Sequence, residues 1–302
     1  MEKEFGGFSL TAADEIAVAK ASERRVLAEI RRLRLEENAW ELDTKGYTVL
    51  VPHQVGSPSL IQDLRQEILS AAKRRYGVEA DLSTGLGRSG DRMAHGTGMT
   101  VPGVLPEGRV FEQALMNESM LALISYLLGE SCELSAMAGV MKSQSSEHLE
   151  LHSDLIGVPA PFAPYAQVAN ATWVLTDYNR ENGCTCFTDG SHLKCRPPTP
   201  AEATDLNLFT PVEALAGSIV IWGGNVWHGA LPRLAPGLRM SLLCFFARWY
   251  LFKAEPDLPT KVTDEMIERN PPRFRQLLGL NCDVPAEERN LTKSSAAHSQ
   301  FA

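Results

Sequence analysis

The segment Glu147-His148-Leu149-Glu150-Leu151-His152-Ser153-Asp154 places two imidazoles and three carboxylates within eight residues. In an extended chain, residues two apart share a face. His152 and Asp154 would then project together, as adjacent ligands of one metal must. His148 and Glu150 would do the same, so a His-x-acid pair alone identifies little. A third ligand has to come from elsewhere. His228, in Gly223-Gly224-Asn225-Val226-Trp227-His228-Gly229, is the best placed, on a later strand. Two histidines and one carboxylate form the facial triad that holds Fe(II) and leaves three positions for an oxidant and a co-substrate. Eleven residues after His228 comes Arg239-Met240-Ser241. On a strand, that guanidinium and hydroxyl share a face and can grip one carboxylate together. The full series, His-x-Asp, distal His, then Arg-x-Ser, is much more specific than any part.

These residues need elements to position them. Residues 11–38 read as one helix, with Thr11 and Asp14 as a capping box and arginines at 24, 25, 31, 32 and 34, a solvated N-terminal appendage. Gly46 to Val51 is a short β-rich run. Ser59 and Gln62 open a second helix with Leu60, Ile61, Leu64, Ile68 and Ala72 on one stripe, ending near Gly77. Residues 78–104 carry no periodicity and many glycines, the mark of a functional or disordered loop. Residues 108–128 read as a third helix, with Val110, Leu115, Leu121, Ile124 and Leu128 inward and Gly129 closing it. From about 132 to 250 the pattern changes to eight short apolar runs, at 134–142, 148–153, 167–176, 184–188, 208–213, 217–222, 226–230 and 238–248. Helices followed by short strands indicate an α+β fold with a β-sandwich or barrel core. Two helices and a polar tail follow from about 262.

Over roughly residues 40–255 the sequence resembles the phytanoyl-CoA dioxygenase-like branch of the Fe(II)/2-oxoglutarate oxygenases. Three stretches carry the likeness: Trp173 to Thr185 with its Glu181-Asn182-Gly183 turn, Asp189-Gly190-Ser191-His192, and Ala216 to Trp222 leading to the distal histidine. The resemblance implies a double-stranded β-helix, a jelly-roll or cupin-like core with helices on one side, over residues 39–260. It leaves 1–38 as a helical extension and 261–302 as C-terminal helices and tail. It implies His152, Asp154 and His228 as iron ligands and catalytic centre. Arg239 and Ser241 would hold the distal carboxylate of 2-oxoglutarate, with Thr185 a further contact. Where many relatives have Gln three residues before the first ligand, this chain has Leu149, so Gln144 or Lys142 must steady the co-substrate instead. Asp189 replaces the family's usual Pro. The implied reaction consumes O2 and 2-oxoglutarate, releases succinate and CO2, and oxidises a substrate C–H bond. Halogenating relatives have a small residue in place of Asp154, so hydroxylation, desaturation or ring chemistry is expected over halogenation, with hydroxylation foremost.

The composition is that of an ordinary globular chain of 302 residues, 44% hydrophobic, with 29 Lys and Arg against 37 Asp and Glu. A net charge of −8 argues against general binding of nucleic acid or an anionic membrane. No apolar run approaches the roughly 20 residues that span a bilayer, and the charged Met1-Glu2-Lys3-Glu4 start fits no secretory signal. A cytoplasmic monomer or homodimer with free thiols is expected. Cys184, Cys186, His192 and Cys195 could form a zinc cluster, but Cys-x-Cys would put two thiols on one strand face, and buried structural thiols are the better reading.

Plain readings compete at every site residue. His152 and Asp154 could be a surface pair, and His228 a core histidine. His53, His95, His148, His192 and His298 are assigned no ligand role. The apolar loop from Leu155 to Tyr165, with three prolines, would either wall a substrate pocket through Phe162 and Tyr165 or pack on the barrel. Arg88, Arg92 and His95 would sit on a lid over it. Together these suit a mainly apolar small-molecule substrate with a polar end, such as a fatty or terpenoid natural product. The alternatives are a non-catalytic β-helix metabolite binder, which should lack a ligand, and another cupin-type metalloenzyme, which would leave Arg239 without a task.

Overall fold

In the computed structural model the described residues are 12–56, 58–86 and 98–280. The helices are α1 (Ala12–Arg32), α2 (Glu36–Thr44), α3 (Pro52–Val55), α4 (Pro58–Tyr76), α5 (Arg109–Leu115), α6 (Glu118–Leu128), α7 (Pro200–Thr204), α8 (Asp264–Glu268) and α9 (Pro272–Leu277). The strands are β1 (Tyr47–Leu50), β2 (Ala80–Asp81), β3 (Gly85–Leu86), β4 (Gly98–Pro102), β5 (Glu133–Lys142), β6 (Leu149–His152), β7 (Val168–Val174), β8 (Thr185–Phe187), β9 (Thr210–Pro211), β10 (Ile219–Gly223), β11 (His228–Ala230) and β12 (Arg239–Ala247). All eight runs expected after residue 132 appear as β5 to β12. They divide between a six-stranded sheet, β1-β10-β7-β12-β5-β4, and a four-stranded sheet, β6-β11-β8-β9. Each pair is antiparallel, and the chain changes sheets repeatedly, so the two sheets enclose a common interior as a double-stranded β-helix.

The large sheet follows the period of two that a strand imposes. Ile219 and Ile221 of β10, Ala169, Ala171 and Trp173 of β7, and Met240, Leu242, Cys244 and Phe246 of β12 all join the large apolar core with the helices. Their alternates face the other way. Val220, Trp222 and Val174 belong to the cluster between the sheets, and the buried polar groups Asn170, Thr172, Arg239 and Ser241 lie on the same face. One side of the sheet is therefore covered by helices and the other is free to build a site. Helix α4 brings its stripe Leu60, Ile61, Leu64, Ile68 and Ala72 to the covered side, as its spacing predicts.

Five expectations need correction. The N-terminal helix does not run to 38. It stops at Arg32, and Arg34 takes a left-handed turn (φ 58°) that restarts the chain as α2. Nor does α1 stand in solvent: Val26 and Ile30, four apart, are buried, while Arg25 pairs with Glu130 at 2.8 Å and Arg32 with Glu118 at 2.8 Å. Two of the arginines that suggested a solvated face thus anchor the helix to α6 and the turn after it, while Arg24, Arg31 and Arg34 are exposed as expected. The helix expected over 108–128 breaks after Leu115, because Asn117 caps a new one, its side-chain oxygen accepting the Met120 N–H at 2.9 Å. The 78–104 stretch is not uniformly patternless either, since β4 pairs with β5 from Gly98↔Lys142 to Pro102↔Ala138. Bounded by glycine and proline, this edge strand is too short to show a period. Helix α4 starts at Pro58, one residue ahead of the expected Ser59, because proline's fixed φ suits a first turn. The Thr11 cap, Arg88, Arg92, His95, Cys282 and His298 lie outside the described residues.

Helix α4 packs tightly on the sheet at Gly139, where a Cβ would stand 2.7 Å from Ile68 Cγ2. Gly139→Val is expected to destabilise the fold by about 1–3 kcal/mol through overpacking. A urea titration should show the loss, and Ile68→Ala in the same chain should recover part of it.

Candidate metal centre

β11 lies between β6 and β8, and its register sets His228 directly opposite His152. The two imidazoles meet with ring centroids 4.2 Å apart. Asp154 lies just past the end of β6, and its N–H donates to the Gly224 carbonyl at 2.8 Å. That approach requires glycine, because a Cβ on Gly224 would lie 2.2 Å from Val168 Cγ2. Asp154 Oδ1 then stands 3.6 Å from His228 Nε2. The three side chains offer ligand atoms all within 4.8 Å of one another, and no other such group forms among the described residues.

The donors are oriented as a metal would need. His152 Nδ1 is 2.9 Å from the Glu150 carbonyl and His228 Nδ1 is 3.3 Å from the Val226 carbonyl. A carbonyl can only accept, so each Nδ1 carries the proton and each Nε2 presents its lone pair. Burial holds the His228 pKa below the ordinary histidine value, which keeps the imidazole in its neutral, ligating form. Asp154 Oδ2 accepts from Asn170 Nδ2 at 2.6 Å and from Trp222 Nε1 at 3.1 Å, which aims Oδ1 at the histidines. Two neutral imidazole nitrogens and one carboxylate oxygen are a donor set that fits Fe(II).

Arg239 and Ser241 occupy the inner face of β12, and both are buried. One guanidinium nitrogen, Nη1, donates to the Gly183 carbonyl, and the group lies 4.8 Å over the Tyr178 ring. Its Nε is buried without a hydrogen-bond partner. Such an orphaned N–H costs free energy unless something binds there, so the arginine fits an anionic co-substrate. The Glu-Asn-Gly turn makes this possible. Gly183 takes φ 67°, and a Cβ would come within 2.7 Å of the Leu231 carbonyl. Asn182 accepts from Arg233 Nη1 at 2.7 Å and donates to the Asp177 carbonyl at 3.0 Å. Thr185, which opens β8 beside Ala230, is half-buried.

Other expected residues fall elsewhere. Gln144 is exposed, its amide donating to the Leu234 carbonyl at 2.8 Å. Lys142, named with it, is buried opposite Arg239. Leu149 is exposed, so the position where relatives carry Gln contributes no side chain to the interior. Phe162 is buried in a cluster with Leu155, Val168 and Ala247, so it packs behind the loop instead of lining an open wall. Tyr165 is half-exposed under the Arg248 guanidinium, 4.9 Å from its ring. His148 is exposed and meets the edge of Phe209, with ring centroids 6.0 Å apart.

Cys184 joins the cluster between the sheets and Cys186 the one with Leu151, Phe209 and Trp227, and the two buried thiols lie within hydrogen-bonding reach of each other. With His192 and Cys195 they form no metal group. The Asp-Gly-Ser-His turn is a support: Ser191 Oγ accepts the Trp227 N–H at 2.8 Å, and Asp189 Oδ1 accepts from the Tyr47 hydroxyl at 2.9 Å. That bond gives Asp189 a task in place of the usual proline.

Sequence reasoning missed Asn170, Trp222 and Tyr178. Asn170 carried a signal, as a carboxamide inside the wholly buried run of β7. Asn170→Ala or Trp222→Phe should weaken metal binding about 10- to 100-fold, because each removes one of the two donors that orient Asp154. Anaerobic titration with Fe(II) or Co(II) would measure it, with circular dichroism as the check on folding.

The centre can be set beside known proteins. The dioxygenase af480 of Aspergillus fumigatus is 29% identical over 180 residues, 59% of this chain and 57% of its own length. The chain therefore matches little more than half of that curated relative. Two solved structures share the fold: HygX from Streptomyces hygroscopicus with nickel and 2-oxoglutarate bound (TM-score 0.56, 17% identity, 72% of this chain and 88% of that one), and the non-haem α-ketoglutarate-dependent epimerase SnoN from nogalamycin biosynthesis (TM-score 0.55, 20% identity, 71% and 83%). The phytanoyl-CoA dioxygenase family profile matches residues 42–241, from α2 into β12, and takes in all three metal-binding side chains and the arginine beside them. With that match and this geometry together, the chain belongs to the phytanoyl-CoA dioxygenase family.

Proposed function

We propose that this chain is an Fe(II)- and 2-oxoglutarate-dependent oxygenase that hydroxylates a C–H bond of a mainly apolar small molecule. The observation that carries the reading is one interior holding both a His152/Asp154/His228 triad and a buried, incompletely partnered Arg239. A triad alone would suit several metalloenzymes. A carboxylate-binding guanidinium on the adjoining face selects a co-substrate with a second carboxylate.

Bound iron would supply the reduction of dioxygen and the oxidising power; the protein supplies placement. His152, His228 and Asp154 would hold the metal. Asn170 and Trp222 fix which Asp154 oxygen faces the metal. Arg239 and Ser241 receive the distal carboxylate, with Tyr178 flat under the guanidinium. Thr185, at the start of β8, is a further contact. The charges balance: two positive on iron and one on Arg239 against two negative on 2-oxoglutarate and one on Asp154. Because Asp154 is a carboxylate, no vacancy is left at its position for a halide, which favours hydroxylation. The loop from Leu155 to Tyr165 exposes Ile156 and Val158, which supports an apolar substrate. We also place the enzyme in the cytoplasm, where the free thiols Cys132, Cys184, Cys186, Cys195 and Cys244 persist.

With Fe(II), the protein should turn 2-oxoglutarate into succinate, and adding 2-oxoglutarate anaerobically should give a visible charge-transfer band. His152→Ala and Asp154→Ala should abolish both, while His148→Ala, at an exposed histidine outside the triad, should leave them unchanged. Arg239→Lys should raise the KM for 2-oxoglutarate about 10- to 100-fold, since one point charge replaces a forked donor. Absence of succinate and of the band from the wild-type protein with Fe(II) would overturn the reading.

A further inference from the structure

Strand β5 runs beside β12 in the large sheet, and its last residue, Lys142, is the register partner of Arg239. Directly opposed residues of an antiparallel pair project to the same face. Both side chains are therefore turned inward, and both are buried, with 7% and 6% of their surface exposed. Among the described residues, the charged and titratable groups around Lys142 come from β12, the loop before it and β8. Arg239 faces it from β12, Arg233 from the loop before β12, and the thiols Cys184 and Cys186 from the start of β8 and from β8 itself. None of these is a carboxylate. The Lys142 ammonium donates to the Leu231 carbonyl at 2.6 Å. Among the described residues neither Lys142 nor Arg239 forms an ion pair. Arg233 is in a different position, since its donors go to Asn182, Pro236 and Gly237 and brace the loop.

Burying one cation without a partner costs several kcal/mol, and two adjacent ones repel as well. A fold tolerates that where an anion arrives to offset it. We propose that Lys142 is a second cation for the distal carboxylate of 2-oxoglutarate, which it and Arg239 grip from adjacent strands. The inference rests on the function proposed above and assigns Lys142 to the carboxylate far from the metal, at the Arg239 end of the interior. Gln144, two residues on and exposed, has no part in it.

The electrostatics give the proposal a pH signature. Burial, and then the Arg239 charge, push the Lys142 pKa down to about 8. A bound carboxylate favours the charged amine, so above pH 8 binding must take up a proton. Affinity for 2-oxoglutarate should fall there by up to about tenfold per pH unit. Below pH 8 it should be level, because the amine is already charged.

The test uses the full-length chain loaded with Fe(II), or with Co(II) for anaerobic binding. Lys142→Met should raise the KM for 2-oxoglutarate tenfold or more, leave kcat and metal affinity nearly unchanged, and remove the decline above pH 8. Lys142→Arg should restore most of the affinity and keep it level through that range. Without 2-oxoglutarate, Lys142→Met should melt no lower than wild type, since it removes an unpaired buried charge, and 2-oxoglutarate should raise its melting temperature less. Wild-type affinity for 2-oxoglutarate in Lys142→Met, or an unchanged pH profile, overturns the role of Lys142 and leaves the functional reading standing. No 2-oxoglutarate binding by the metal-loaded wild type overturns both.

Discussion

The direct opposition of His228 and His152 across β11 and β6 is the constraint on which the centre depends. Because strand side chains alternate, a slip of one residue would turn His228 outward and leave two ligands in place of three. A three-residue strand cannot hold its register by its own ladder, so neighbouring contacts hold it. Ser191 pins the Trp227 N–H, and Trp227 Nε1 donates to the Arg196 carbonyl at 2.8 Å. Gly224 and Gly229 allow backbone approaches that any Cβ would block, at 2.2 Å from Val168 Cγ2 and 2.3 Å from the Leu149 carbonyl. The turn from Asp189 to His192 thus serves the metal without touching it.

The large sheet divides its labour by face. The helix-covered side is uniformly apolar, with Trp173, Leu242, Phe246 and Ile68 fully or almost fully buried. Burial there, worth about 1.5–3 kcal/mol for each large side chain, sets a rigid platform. The opposite side can then carry groups that do not stabilise the free protein: the Asn170 and Trp222 donors around Asp154, an incompletely bonded guanidinium and a buried ammonium. The apolar face offsets the cost of burying them.

Much of this was legible in the residues. The triad, Arg239 and Ser241 follow from spacing, and β5 to β12 follow from apolar alternation. The reading failed where a local pattern met a tertiary partner. Arg25 and Arg32 of α1 read as part of a solvated face until Glu130 and Glu118 supply the charges they meet. Phe162 read as a pocket wall because an apolar loop in sequence gives no direction for its side chains. Gln144 and Lys142 were equal candidates until the register of β5 against β12 separated them.

The sequence alone determined which groups could bind metal and carboxylate, and that they would ride on strands, because residue type and a period of two are local properties. Only the tertiary structure decided that His152 faces His228, that Asn170 and Trp222 hold Asp154, and that Lys142 stands beside Arg239. Strand order and register arise from packing between segments tens of residues apart. Whether a buried charge has a partner is a property of those neighbours, which no local pattern records.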